Sequence, residues 1–139
     1  MREPGIILVE SSPYESALAY LALTQTTSSV VQAPDLRAAA RLASSGGVGL
    51  AILGPRAITR VSSRQLRALQ IPAVGIGVHL SDVDERRALA AGVCAVYERP
   101  RGWKAYLALL EEIHHAVQAR PGEGAARLSP HHRLGMKGD

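Results

Sequence analysis

Short runs of apolar residues recur along the chain, and a segment of helical character follows each of them. The run 6–9 shows no alternation between apolar and polar residues, which is typical of a strand buried on both faces. Runs of the same kind lie at 30–31, 48–53, 73–76 and 94–97. Because strands alternate with helical segments, the pattern predicts a parallel sheet with helices on both faces.

Capping residues mark where the helices begin and end. Ser12 and Asp35 have side chains that accept an N–H at a helix N-terminus, and Pro13 suits the first helical position. Gly46 and Gly92 are typical of helix ends. These signals predict helices from Ser12 and from Asp35 onward, and the apolar spacing predicts three more over 62–69, 82–91 and 103–118.

The composition is that of an ordinary globular domain. A chain of 139 residues with 47% hydrophobic and 20% charged residues excludes global disorder and favours one domain. The single cysteine, Cys94, excludes a disulfide framework and a cysteine zinc site. We expect no metal, no cofactor and no enzymatic activity, because no acid–base set converges in the sequence. With no targeting segment and no run of ~18 apolar residues, we expect a cytoplasmic protein without a membrane partner.

Positive charge is concentrated in two places. The net charge is +4 and the pI is about 9.7. Residues 119–139 hold four basic and two acidic residues, which predicts a basic, flexible tail after a domain over 1–118. No acidic residue lies between 54 and 69, where four arginines do: Arg56, Arg60, Arg64 and Arg67. We favour a solvated arginine surface and keep nucleic-acid binding as an alternative.

Four short motifs, in their order and spacing, resemble one family. They are ILVESSP at 7–13, IPAV at 71–74, AAG at 90–92 and RP at 99–100. Over about 4–118 the chain resembles the receiver domain of bacterial response regulators, the CheY-like superfamily. The stretch ERPRGWKAYL is more loosely similar to the stand-alone receivers that serve phytochrome-type histidine kinases. The resemblance implies a flavodoxin-like, doubly wound sheet of five parallel strands, and the short 54–72 connection implies a shortened third helix.

The resemblance also implies where a phosphorylation site would lie. A working receiver holds Mg²⁺ with two acids after strand one and an acceptor aspartate after strand three, and it binds the phosphoryl group with a hydroxyl and a lysine. The matching positions are Glu10 and Ser11, then Gly54, Gly77 and Arg99. This degenerate pocket implies a pseudo-receiver, a phosphorylation-independent interaction module. Its expected partner is a histidine kinase or a downstream regulator.

Arg56 and Arg99 offer an alternative function. Both follow strands whose carboxyl ends form one crevice, the usual ligand position in doubly wound folds. Two guanidinium groups there predict a small-anion or nucleotide sensor. The reading that we favour is a solvated Arg56 and an Arg99 paired with Glu10.

Two further expectations concern the end of the domain. The family resemblance implies a cis Arg99–Pro100 bond. The apolar arc of the last helix is wider than the ~100° stripe that one packed face needs. We therefore predict a homodimer or a docked partner at Trp103, Tyr106 and Leu109, the alternative being that this wide arc is core.

Overall fold

The computed structural model describes residues 4–27 and 29–119. The strands are Gly5–Val9 (β1), Val30–Ala33 (β2), Val48–Leu53 (β3), Ala73–Gly77 (β4) and Ala95–Glu98 (β5). The helices are Pro13–Leu23 (α1), Leu36–Ala43 (α2), Pro55–Ile58 (α3), Ser63–Leu69 (α4), Asp82–Ala91 (α5) and Trp103–Ala119 (α6). The predicted alternation of strands and helices is confirmed. The segment after β3 forms only the single turn α3 and the short α4, as the shortened connection predicts.

All strand pairs are parallel, and the order across the sheet is β2-β1-β3-β4-β5. The chain goes from β1 outward to β2 and then returns to β3 on the other side of β1. The connections after β1 and β3 therefore diverge to opposite faces of the sheet. A crevice between the carboxyl ends of two such strands is the ligand position of doubly wound folds.

Two apolar cores lie on the two faces of the sheet. Along β1, Ile6 and Leu8 point to one core, and Ile7 and Val9 point to the other. The first core is covered by α1 and α6, and the second by α2, α4 and α5. Burial of both faces explains why the strands read as unbroken apolar runs.

Local capping sets the helix starts, as the sequence predicts. The Ser12 side chain accepts from the Glu15 N–H at 3.4 Å, and Asp35 accepts from the Ala38 N–H at 2.9 Å. Ser62 and Gln65 form a reciprocal capping box at the start of α4. Each cap satisfies an N–H that has no partner within its helix.

The Arg99–Pro100 bond is trans, so the expectation of a cis bond is wrong. The Arg99 N–H donates to the Gly77 carbonyl at 2.9 Å, which continues the β4–β5 ladder past the end of β5. The chain then turns at Gly102, whose φ of +88° is a conformation that favours glycine. The reversal into α6 therefore uses a left-handed glycine, and the Pro100 bond keeps its more stable isomer.

The prediction of an exposed apolar edge on α6 is wrong for two of its three residues. Leu109 is 2% exposed, and Tyr106 is buried with it in the first core. The arc is wide because α6 packs against both the sheet and α1. Only Trp103, at the first turn, remains 44% exposed.

None of the described helices has the length and apolar character that a membrane crossing requires. The predicted tail, apart from Ala119 at the end of α6, lies outside the described residues. The division into a domain and a tail stays a prediction.

Leu109 and Leu21 provide a test of this packing. We expect Leu109→Ala to lower the free energy of unfolding by about 2–5 kcal/mol, because it leaves a cavity in a filled core. Leu21→Ala, on the outer side of α1 with Leu21 57% exposed, should change it by less than about 0.5 kcal/mol. Urea denaturation followed by circular dichroism measures both. Equal losses for the two variants would contradict the placement of Leu109.

Candidate functional site

Four chain segments converge at the carboxyl ends of the strands. Glu10 follows β1, Gly54 follows β3, Gly77 ends β4 and Arg99 follows β5. Main-chain bonds extend the ladder here, since the Gly54 N–H donates to the Val9 carbonyl at 2.9 Å. The positions that the resemblance singles out thus lie together along one edge of the sheet.

Glu10 is buried, and main-chain groups from two different loops hold its carboxylate. Its Oε2 accepts from the Ser12 N–H at 2.7 Å, and its Oε1 accepts from the Arg56 N–H at 3.0 Å. Hydrogen bonds to a charged acceptor are stronger than bonds between neutral groups. The carboxylate therefore joins the start of α1 to the start of α3 across the crevice.

Gly54 provides the space that Glu10 occupies. The backbone of Gly54 has φ −75° and ψ −176°, which any residue can adopt. A Cβ at this position would overlap the Oε1 of Glu10 and would lie 3.0 Å from the Glu10 Cβ. A side chain at 54 and the observed Glu10 rotamer are thus mutually exclusive. The signal in the sequence is the retained acid Glu10 after β1 together with Gly54 after β3, a pair whose steric relation the sequence analysis does not predict.

The residues at this edge do not fit Mg²⁺. That ion requires near-octahedral oxygen coordination, with carboxylates among its protein ligands. Glu10 is the one carboxylate among the matching positions, and both of its oxygens accept main-chain N–H bonds. Ser11 is exposed and Gly54 has no side chain. The described residues contain no group of three His, Cys, Asp or Glu side chains arranged for a metal.

Arg99 pairs with Glu15 of α1, so the expected pair with Glu10 is wrong. Its guanidinium also lies 5.9 Å from the centre of the Tyr106 ring, within range of a cation–π contact. Burial raises the pKa of Tyr106 to about 12; Arg99 opposes this rise and Glu15 adds to it. Arg99 and Glu15 therefore neutralise each other above a buried aromatic ring.

Arg56 and Arg99, the pair expected to hold an anion, have different surroundings. The side chain of Arg56 is exposed, and its main-chain N–H donates to the Glu10 carboxylate in the crevice. The guanidinium of Arg99 is directed to Glu15. The geometry therefore does not favour an anion sensor built from these two side chains.

A second carboxylate, which the sequence analysis missed, holds the loop after β4. Glu98 accepts from the His79 N–H at 2.6 Å and from the Leu80 N–H at 3.4 Å. A Cβ added to Gly77 would lie 3.0 Å from the Leu80 Cβ, so this loop folds closely over the strand end. Like Glu10, Glu98 fixes a loop by accepting from its main chain.

Several exposed apolar side chains lie close together on α1 and at the start of α6. Tyr14 is 71% exposed, and Leu21, two helical turns further on, shares its side of the helix. Leu18 and Trp103 line a shallow depression of about 190 Å³ that joins α1 to α6. We call Tyr14, Leu18, Leu21 and Trp103 the α1 face.

Coupling between Glu10 and Gly54 is testable by a double-mutant cycle. Gly54→Ala should lower the free energy of unfolding by about 1–3 kcal/mol, because the new methyl group overpacks the site. In a Glu10→Ala background the same change should cost at least about 1 kcal/mol less, since the overlapping carboxylate is gone. Urea denaturation of the four proteins measures the coupling. Additive losses would contradict the steric exclusion.

Several known structures are similar to this chain over most of its length. The receiver domain of the putative response regulator NarL from Mycobacterium tuberculosis is 15% identical, with a TM-score of 0.63, over 83% of this chain and 98% of that one. The cyanobacterial phytochrome response regulator RcpA is 17% identical, with a TM-score of 0.64, over 85% of this chain and 95% of that one.

The receiver domain of Ssk1 from Saccharomyces cerevisiae, in complex with the histidine phosphotransfer protein Ypd1, is 18% identical, with a TM-score of 0.66. This match covers 89% of this chain and 97% of that one. No protein-family model matches the sequence, and no curated protein matches it significantly. The chain has the receiver-domain fold, as the resemblance implied.

Proposed function

We propose that this chain is a signalling module of the receiver fold that acts by binding other proteins, without phosphorylation and without catalysis. The observation that carries the proposal is the Glu10 carboxylate, which occupies the space beside Gly54 and accepts two main-chain N–H bonds. The acceptor position of a receiver thus holds an internal carboxylate, and that carboxylate belongs to a different strand.

The charges around this site are satisfied within the chain. Two N–H groups hold Glu10, and Glu15 pairs with Arg99, which stands where the family has its phosphate-binding lysine. A phosphoryl group would have to compete with Glu15 for Arg99. It would also meet the buried Glu10 charge without Mg²⁺ to offset the repulsion. These contacts favour one fixed arrangement of the loops over a phosphorylation-driven switch.

Phosphorylation chemistry tests the first half of the proposal. Incubation of the protein with Mg²⁺ and acetyl phosphate should leave its intact mass unchanged. Gly54→Asp should leave it unchanged too, because the new side chain competes with Glu10 for space and Ser11 supplies no second carboxylate. A receiver with an intact acidic pair and acceptor serves as the positive control in the same reaction. A phosphoryl adduct on the protein without substitutions would contradict the proposal.

The α1 face is the surface that we propose for a protein partner. It carries Tyr14, Leu21 and Trp103, whose side chains are large and apolar and remain solvent-exposed in the single chain. Aromatic residues of this kind are enriched at interface cores. Since the Ssk1 receiver is bound to a histidine phosphotransfer protein in its structure, we propose a histidine kinase or phosphotransfer protein as the partner. A downstream regulator is the alternative.

Homodimerisation stays a prediction, now through the α1 face, because Leu109 and Tyr106 lie in the core. Light scattering after size exclusion distinguishes a second copy of the chain from a different partner.

Binding measurements test the α1 face. Tyr14→Glu combined with Leu21→Glu should weaken binding to the histidine kinase or phosphotransfer partner by about tenfold or more, because two charges enter an apolar contact. Val83→Glu is the control for an added charge away from this surface, since Val83 is 64% exposed on α5 at the other side of the sheet. Isothermal titration without Mg²⁺ measures both. Equal affinities for the double variant and the control would contradict this interface.

A further inference from the structure

The middle of the sequence carries charge of one sign only. Residues 36–81 contain six arginines and no aspartate or glutamate. The rest of the chain holds the other ten basic residues and all twelve acidic ones, which gives it a net charge of −2. This one segment, at +6, therefore carries more positive charge than the net +4 of the whole protein.

The fold brings these arginines to one side of the molecule. Helices α2 and α4 pack against each other on the same face of the sheet and direct Leu36, Ala39 and Leu69 into the core beneath them. The side chains of all six arginines are exposed. We call them the arginine face; they are Arg37, Arg41, Arg56, Arg60, Arg64 and Arg67.

The guanidinium groups of the arginine face are not paired with carboxylates among the described residues. None of its six side chains forms an ion pair with a residue of 4–27 or 29–119. The nearest acid in the sequence, Asp35, accepts from the Ala38 N–H at the start of α2. Arg87 of α5 adds a guanidinium beside Arg60, where it donates to the carbonyls of Thr59 and Val61. Arg37 and Arg41, one turn apart, repel each other without a compensating carboxylate.

We propose that the arginine face binds the phosphate backbone of duplex nucleic acid without sequence preference. Guanidinium groups bind phosphate oxygens bidentately, and a duplex presents phosphates as a dense, regular array. Two packed helices lie about 8–10 Å apart, so the arginine face is broad enough to meet several phosphates at once.

The other side chains on this surface favour a duplex over a single strand or a membrane. The chain has four tyrosines, one tryptophan and no phenylalanine, and all five aromatic residues belong to α1, β5 or α6. Stacking on aromatic rings is how proteins commonly hold single strands, and the arginine face has none. Leu42 is the one exposed large apolar residue on α2 and α4, so the surface offers little for insertion into lipid.

Salt-dependent binding to a duplex of mixed sequence tests the proposal with the full chain. Fluorescence anisotropy should give a plot of log K against log salt with a slope near −0.9 per phosphate contact. Arg37→Gln combined with Arg64→Gln should reduce the magnitude of that slope by about 1.8, because two contacts are lost. A scrambled duplex of the same length should bind with the same affinity.

A variant of equal net charge provides the control. Arg101→Gln combined with Lys104→Gln removes two exposed basic residues next to the start of α6, on the other side of the sheet, and should leave the slope unchanged. Loss of binding in both variants alike would overturn the proposal, because it would reduce the effect to net charge. So would tighter binding to poly-glutamate, to a single strand or to anionic lipid vesicles than to the duplex.

Discussion

The carboxylate of Glu10 determines the form of the whole strand-end crevice. It lies at the switch point between β1 and β3, where the chain could otherwise hold a ligand. By accepting from the Ser12 and Arg56 N–H groups, it connects the beginnings of α1 and α3. A buried charge is tolerated only when its hydrogen bonds are made, so the two loops and Gly54 are constrained together. Glu98 has the same effect on the loop after β4.

The fold could be predicted from the sequence because its signals are local. An unbroken apolar run such as 6–9 is characteristic of a strand covered on both faces, whatever lies on either side of it. Ser12 and Asp35 cap helices through N–H groups three residues away, so their roles depend on near neighbours alone. The alternation of Val96 and Tyr97 between the two cores follows from the pleat of a strand.

The site was harder to predict because its contacts join distant segments. Arg99 and Glu15 are 84 residues apart, and Glu10 and Arg56 are 46 apart. The expected pair of Arg99 with Glu10 does not form, because two main-chain N–H groups bind the Glu10 carboxylate and Arg99 pairs with Glu15. The α6 error has a similar origin, because a helix that packs against both a sheet and a neighbouring helix needs a wider apolar arc than one packed face does. The sequence of α6 alone does not show how many other elements contact Leu109.

The two surfaces proposed for binding lie on opposite sides of the sheet, and their connection runs through the same crevice. The α1 face begins next to Ser12, and the arginine face includes Arg56, whose main-chain N–H Glu10 holds. In a receiver that switches, phosphorylation at this crevice would change the conformation of the loops that connect two binding surfaces. In this chain the buried Glu10 side chain holds those loops in one arrangement. Coupling between two sites requires an element with two states, and the Glu10 contacts provide only one. We therefore propose that occupying one face leaves the affinity of the other unchanged, and that the domain acts as an adaptor for two partners.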